Sequence, residues 1–105
     1  MSLEYRLVDL LDSICNALGI TCKDVLQTKI TGRKPHDKKQ LDFRNRIMLA
    51  KSLFIYWAKF RYNIDNSKLM PFLKLKSQSS LFLYYDNGRN YSTELKLDYR
   101  WKYNY

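Results

Sequence analysis

Acidic residues are scarce in this chain: 10 Asp and Glu stand against 19 Lys and Arg, a formal net charge of +9 at pH 7. In a chain of 105 residues that deficit points to a polyanionic partner. Nucleic acid is the first candidate, an anionic membrane surface the second, and a basic protein with neither is the plain alternative. Glycine and proline are also few, at 3 and 2. That excludes a loop-rich scaffold and favours long regular elements. Two cysteines, Cys15 and Cys22, are too few for a disulfide framework. With His36 they leave a zinc site one ligand short, and their spacing matches no zinc motif. Reduced, buried thiols are expected, with no metal and no cofactor. No secretory signal pattern and no run of 18 apolar residues occurs, so the expected compartment is the cytoplasm. Asp9, Asp12, Asp24 and Asp42 are scattered without metal spacing, and His36 has no nucleophile beside it. No enzymatic activity is expected.

What remains is 46% hydrophobic, enough for one modest core in one domain spanning 1–105. Leu3, Leu7, Leu10, Leu11, Ile14 and Leu18 recur at helical spacing, and Gly19 follows as a stop. Thr21 is placed to cap a short second helix that turns Val25 and Leu26 inward. Residues 28–42 hold Gly32, Pro35 and the cations Lys29, Arg33, Lys34, Lys38 and Lys39, and read as an exposed basic loop. Leu41 to Tyr62 reads as a long helix with one apolar row of Ile47, Ala50, Phe54 and Ala58. A second row holds Leu49, Leu53, Tyr56 and Phe60, and Lys51 and Lys59 mark the wetter side. A helix apolar on so much of its surface belongs at the centre of a bundle.

A short helix capped by Ser67 comes next, with Pro71 expected in its first turn. A basic turn with Lys74 and Lys76 leads to a further helix capped by Ser77. Helix, turn and helix in this order are how a DNA-binding domain presents its reading helix to the major groove. The turn's lysines suit phosphates, and Gln78, Ser79 and Ser80 suit base edges. Gln78 is the strongest candidate reader, since Gln pairs bidentately with adenine. Arg44 and Arg46 at the start of the long helix read as phosphate clamps. The segment after Leu81 carries a conflict. Asp86-Asn87-Gly88 is a hairpin-turn signal, and Leu95, Leu97, Tyr99, Trp101, Tyr103 and Tyr105 alternate as in a strand. Local rules weigh a hairpin of Leu81–Tyr85 with Glu94–Tyr103 about evenly against a helix facing Leu81, Tyr84, Tyr85 and Gly88 to the core. The tail, 92–105, reads as packing behind the reading helix or as a stacking platform for single strands.

Residues 7–91 resemble the C-terminal DNA-binding domain of the bacterial chromosomal replication initiator DnaA, a helical domain of the Trp-repressor-like class. The resemblance is carried by Gly19–Leu26, the basic loop, the helix entry Phe43-Arg44-Asn45-Arg46, and Ser77-Gln78-Ser79-Ser80-Leu81. The family's signature there is Asp-His-Thr-Thr-Val or Asp-His-Ser-Ser-Val, and its helix entry is Ala-Arg-Pro-Arg or similar. Ser77 and Gln78 replace the signature Asp and His, Lys74 and Leu75 stand where turn glycines are expected, and Met70 stands where the preceding helix has Gly. The resemblance implies helix through Leu81–Tyr91, a loop tracking the DNA backbone, and Arg33 reaching into the minor groove. No Walker A motif is present, so it implies a stand-alone reading head of the kind found in phages and mobile elements. The expectation is an all-α helical bundle with a helix-turn-helix, a long central helix and a short C-terminal helix or strand. Its expected function is sequence-specific binding of double-stranded DNA in replication or transcription control. The alternatives are a protein-interaction module with a basic surface, or a single-strand nucleic-acid binder.

Overall fold

A computed structural model describes residues 3–27 and 36–94. These form five α-helices and no strand: α1 (Leu3–Leu18), α2 (Cys22–Gln27), α3 (Lys38–Tyr62), α4 (Asn66–Phe72) and α5 (Gln78–Glu94). The protein is an all-α helical bundle. Lys29, Arg33, Lys34 and the alternating tail beyond Glu94 lie outside the described residues.

The helix ends follow from local chemistry. α1 stops where Gly19 takes the left-handed conformation, φ 73°. The Ile20 N–H then donates to the Cys15 carbonyl at 3.0 Å and the Gly19 N–H to Asn16 at 3.3 Å, so the last carbonyls stay paired. α2 opens with a reciprocal box. The Asp24 N–H donates to Thr21 Oγ1 at 3.1 Å, and the Thr21 N–H donates to the Asp24 carboxylate at 3.0 Å.

α3 begins at Lys38, three residues before the expected start, so residues 38–42 of the expected loop are helical. The cause is Asp37, whose carboxylate accepts the Lys39 N–H at 3.1 Å as an N-cap. α3 ends on a left-handed Asn63, φ 52°, with the Ile64 N–H bonded back to the Ala58 carbonyl at 3.2 Å.

α3 is the hub. It packs against α1, α2 and α5, and Phe72 of α4 stacks on its Phe54 at a 5.3 Å centroid distance. This explains why it is apolar nearly all round: Ile47, Ala50, Leu53, Phe54, Ile55, Trp57 and Ala58 are all buried. Two sequence expectations for α3 are corrected. Lys51 does not mark a wet side, because it is buried at 7% exposure with its Nζ 5.9 Å from the Tyr84 ring centroid. Phe60, expected in an inward row, is 68% exposed. It lies in the last turn, past the helices that cover the middle of α3, and stacks only on its own helix's Tyr56 at 5.5 Å.

α4 starts at Asn66 after Asp65, so Ser67 is inside the helix and not its cap. Pro71 falls in the last turn, not the first. In so short a helix the lost N–H removes one bond at the end and breaks nothing further.

α5 settles the conflict at Asp86-Asn87-Gly88 in favour of helix, which runs unbroken from Gln78 to Glu94. Gly88 is buried and pressed against α3: a Cβ there would lie 2.1 Å from the Ser52 carbonyl oxygen. The residue that signals a turn locally is the one that lets two helix backbones meet.

Candidate nucleic-acid interface

The start of α5 is built by two caps in series. Leu73 closes α4, and Lys74 follows in the left-handed conformation, φ 58°. The Leu75 N–H donates to the Met70 carbonyl at 2.8 Å and the Lys74 N–H to Pro71 at 3.2 Å. This is the paired bonding of a helix end that usually carries glycine. The chain then reverses into Ser77, whose hydroxyl accepts the Ser80 N–H at 3.2 Å and lies 3.1 Å from the Ser80 hydroxyl. Leu81, fully buried, anchors the first turn from below, and Leu69 and Leu73 are buried in the same core.

That anchoring decides what faces outward. Lys74, Lys76, Ser77, Gln78 and Ser79 are all exposed around one helix start, with the half-buried Leu75 between the two lysines. Lys68 on α4 is exposed as well. From Asn66 to Tyr85 the chain has these three lysines and no Asp or Glu. Positive side chains thus add to the positive end of the α5 dipole. Ser80 is the exception among the expected readers. It is half-buried, and its hydroxyl turns to Ser77.

The other expected cations are distributed elsewhere. Lys38 and Lys39 are exposed in the first turn of α3, roughly 20 Å along that helix from Ser52, where α5 meets it. Gln78 is roughly 15 Å along α5 from Gly88. The two basic groups therefore each stand well away from the point where α3 and α5 meet. Arg44 is half-buried in α3. Arg46 is a structural clamp: its Nη1 donates to the Leu18 carbonyl at 3.0 Å, and its Nε pairs with Asp42 at 2.9 Å. It ties the end of α1 to α3, which is a different task from the phosphate contact its position suggests.

Four titratable groups are perturbed, all through packing, and one is Cys22, whose thiol burial pushes up with Asp12 adding to the shift. Burial pulls the Lys51 ammonium below the ordinary lysine value. Burial pushes Tyr84 up, with Arg44 opposing. Burial pushes the Cys15 thiol up to about 12, with Cys22, Asp12 and Asp24 adding to the shift. These are properties of packing, and none belongs to the exposed start of α5. Among the described residues no group of three or more His, Cys, Asp and Glu side chains is placed to hold a metal ion. An open hollow of about 430 Å³ beside Tyr5, Arg6, Asp9 and Tyr62 presents one carboxylate, one guanidinium and two phenols, with no activated nucleophile. No helix among the described residues is long and apolar enough to cross a membrane.

Sequence reasoning missed two exposed residues on α5, Phe82 at 51% and Leu83 at 60% exposure. The signal was present. With Leu81, Tyr84 and Tyr85 turned inward, Phe82 and Leu83 must fall on the opposite face. The chain matches no protein-family model, no curated protein and no solved structure.

Proposed function

We propose that this protein binds double-stranded DNA through α4, the turn and α5, with the first turn of α5 entering the major groove. The observation that carries the reading is the exposed Lys74 and the unbroken exposed run Lys76, Ser77, Gln78 and Ser79 at one helix start, over a buried Leu81. Lys68, Lys74 and Lys76 contact phosphates and set affinity. Gln78 offers a donor and an acceptor to a base edge and sets preference. Ser77 and Ser80 hold the helix start in shape. Lys38 and Lys39, with Lys29, Arg33 and Lys34, form a second basic group that tracks the backbone. No catalytic group or cofactor is needed. The resemblance to the initiator's reading head supports a role in replication or transcription control, as a phage or mobile-element domain acting on DNA in the cytoplasm.

A salt titration tests the reading. Three phosphate contacts give a log–log slope of about −2.7, and the second basic group makes it steeper. A slope near zero refutes it. Gln78→Ala is expected to relax one position of a selected site by about 1–3 kcal/mol while non-specific binding holds. The exposed Phe60, Phe82 and Leu83 favour a second reading, a protein-interaction module. Failure to shift any random duplex at low salt would decide for it.

A further inference from the structure

The outward face of α5 is mixed in character. Gln78 and Ser79 come first, Phe82 and Leu83 follow one turn on, and Asp86, Arg89 and Asn90 complete it. Leu81, Tyr84, Tyr85 and Gly88 occupy the inner face against the core. Phe82 and Leu83 thus stand in water beside the polar pair at the helix start, flanked by the acid-free basic stretch that holds Lys68, Lys74 and Lys76. A neutral apolar pair next to a cationic helix start complements a surface that is anionic at its edges and apolar at one point within.

The major groove is such a surface. Its walls are phosphates, and the apolar group its floor presents is the C5-methyl of thymine. A helix that enters by its first turn places its second turn over the neighbouring base pairs. Resting on the reading proposed above, we infer that Phe82 and Leu83 read thymine methyl groups. They make the preferred site one in which thymines neighbour the base pair facing Gln78. An adenine there would take the Gln78 amide bidentately, so the core of the site is rich in A·T pairs. Asp86, the acid on this face, sits beyond the apolar pair and marks where α5 must draw away from the phosphates.

The experiment begins with selection of a preferred duplex by the wild-type protein. Each thymine of that duplex is then replaced by deoxyuracil, which removes the methyl and leaves the pairing edge unchanged. Dissociation constants are compared at one salt concentration. The wild type is expected to lose about fourfold per contacted methyl. Phe82→Ala and Leu83→Ala should each lose a similar factor on the thymine duplex, and the double variant should show no further loss on the uracil one. Because both side chains are exposed, the variants should keep helix content and melting temperature, which circular dichroism checks. Equal wild-type binding to thymine and uracil duplexes overturns the inference while leaving DNA binding intact. A double variant, Phe82→Ala with Leu83→Ala, that still senses the methyl also overturns it. If no duplex binds at low salt, the DNA reading itself fails and the apolar pair belongs to a protein-docking face.

Discussion

Gly88→Ala sets two opposing effects against each other. In an exposed helix the change would stabilise by about 1 kcal/mol, because alanine has less backbone freedom to lose. Here the added methyl would lie 2.1 Å from the Ser52 carbonyl oxygen, 2.7 Å from Tyr56 Cβ and 2.8 Å from the Ser52 carbonyl carbon. All three are backbone atoms or the first side-chain atom, in the middle of the buried hub helix, so none can rotate aside. α5 must retreat by more than an ångström to reach ordinary contact. Overpacking of this kind costs about 1–3 kcal/mol, and more when backbone must shift. The retreat also loosens Tyr56 against Tyr85, whose rings lie 5.4 Å apart. We expect a net loss of about 2 kcal/mol, since the packing cost exceeds the propensity gain. For a domain of this size that lowers the melting temperature by roughly 10 °C. Thermal and urea melts of wild type and Gly88→Ala measure it, with the exposed Asn90→Ala as a control expected to change stability by less than about 0.5 kcal/mol. A Gly88→Ala protein as stable as wild type would show that α5 does not meet α3 at this point.

Three further outcomes are expected. Lys74→Gly should raise stability by about 1 kcal/mol by relieving the left-handed lysine, and should flatten the salt dependence of duplex binding by about 0.9 in slope. Chemical denaturation and salt titration read the two effects separately. Cys15 has its pKa raised from 9.0 to about 12 in the fold, so the unfolded chain loses this proton first as pH rises. Its contribution is complete below pH 9 and is lost between 9 and about 12, at up to about 1.4 kcal/mol per pH unit, and Cys15→Ala should remove that part of the slope. Lys51 is shifted the other way, so the folded state pays for its charge at neutral pH and less as pH approaches 10.5. Lys51→Met should therefore stabilise at pH 7, with the gain shrinking as pH rises, in urea melts at several pH values.

Most helix ends were legible because their signals are local. Gly19, Thr21 and Ser77 each act within a few residues, and each does what its type predicts. Residues 38–42 misled because a run of lysines beside Pro35 looks like a solvated loop. Lysine is a good helix former, and Asp37 was the cap that should have been weighed. Lys51 and Phe60 were not legible, because their exposure depends on which helices cover α3 and how far along they reach. Lys51 lies beneath Tyr84 of α5, a partner 33 positions later, whereas Phe60 lies past the covered stretch. At Asp86-Asn87-Gly88 local rules stood even. The deciding contact, Gly88 on Ser52, is long-range and invisible to any window of sequence.

For the candidate site, the grouping of near neighbours was legible and the engagement of more distant residues was not. The sequence placed Lys74 through Ser80 together because they are neighbours, and the fold keeps them so, apart from the inward turn of Ser80. It also offered Arg44 and Arg46 as phosphate clamps, and in the fold Arg46 is engaged at the α1–α3 junction. One residue near the start of α5 breaks a local rule. Three described residues adopt the left-handed conformation. Gly19 is free to do so, and Asn63 is the type that tolerates it best after glycine. Lys74 has no such excuse, and it costs the helix end about 1 kcal/mol that glycine would not. A fold that needed only the turn would be better served by glycine. What lysine adds is a charge held at the mouth of α5, beside Lys76 and the helix dipole, and that charge has a use if an anion is to be bound there.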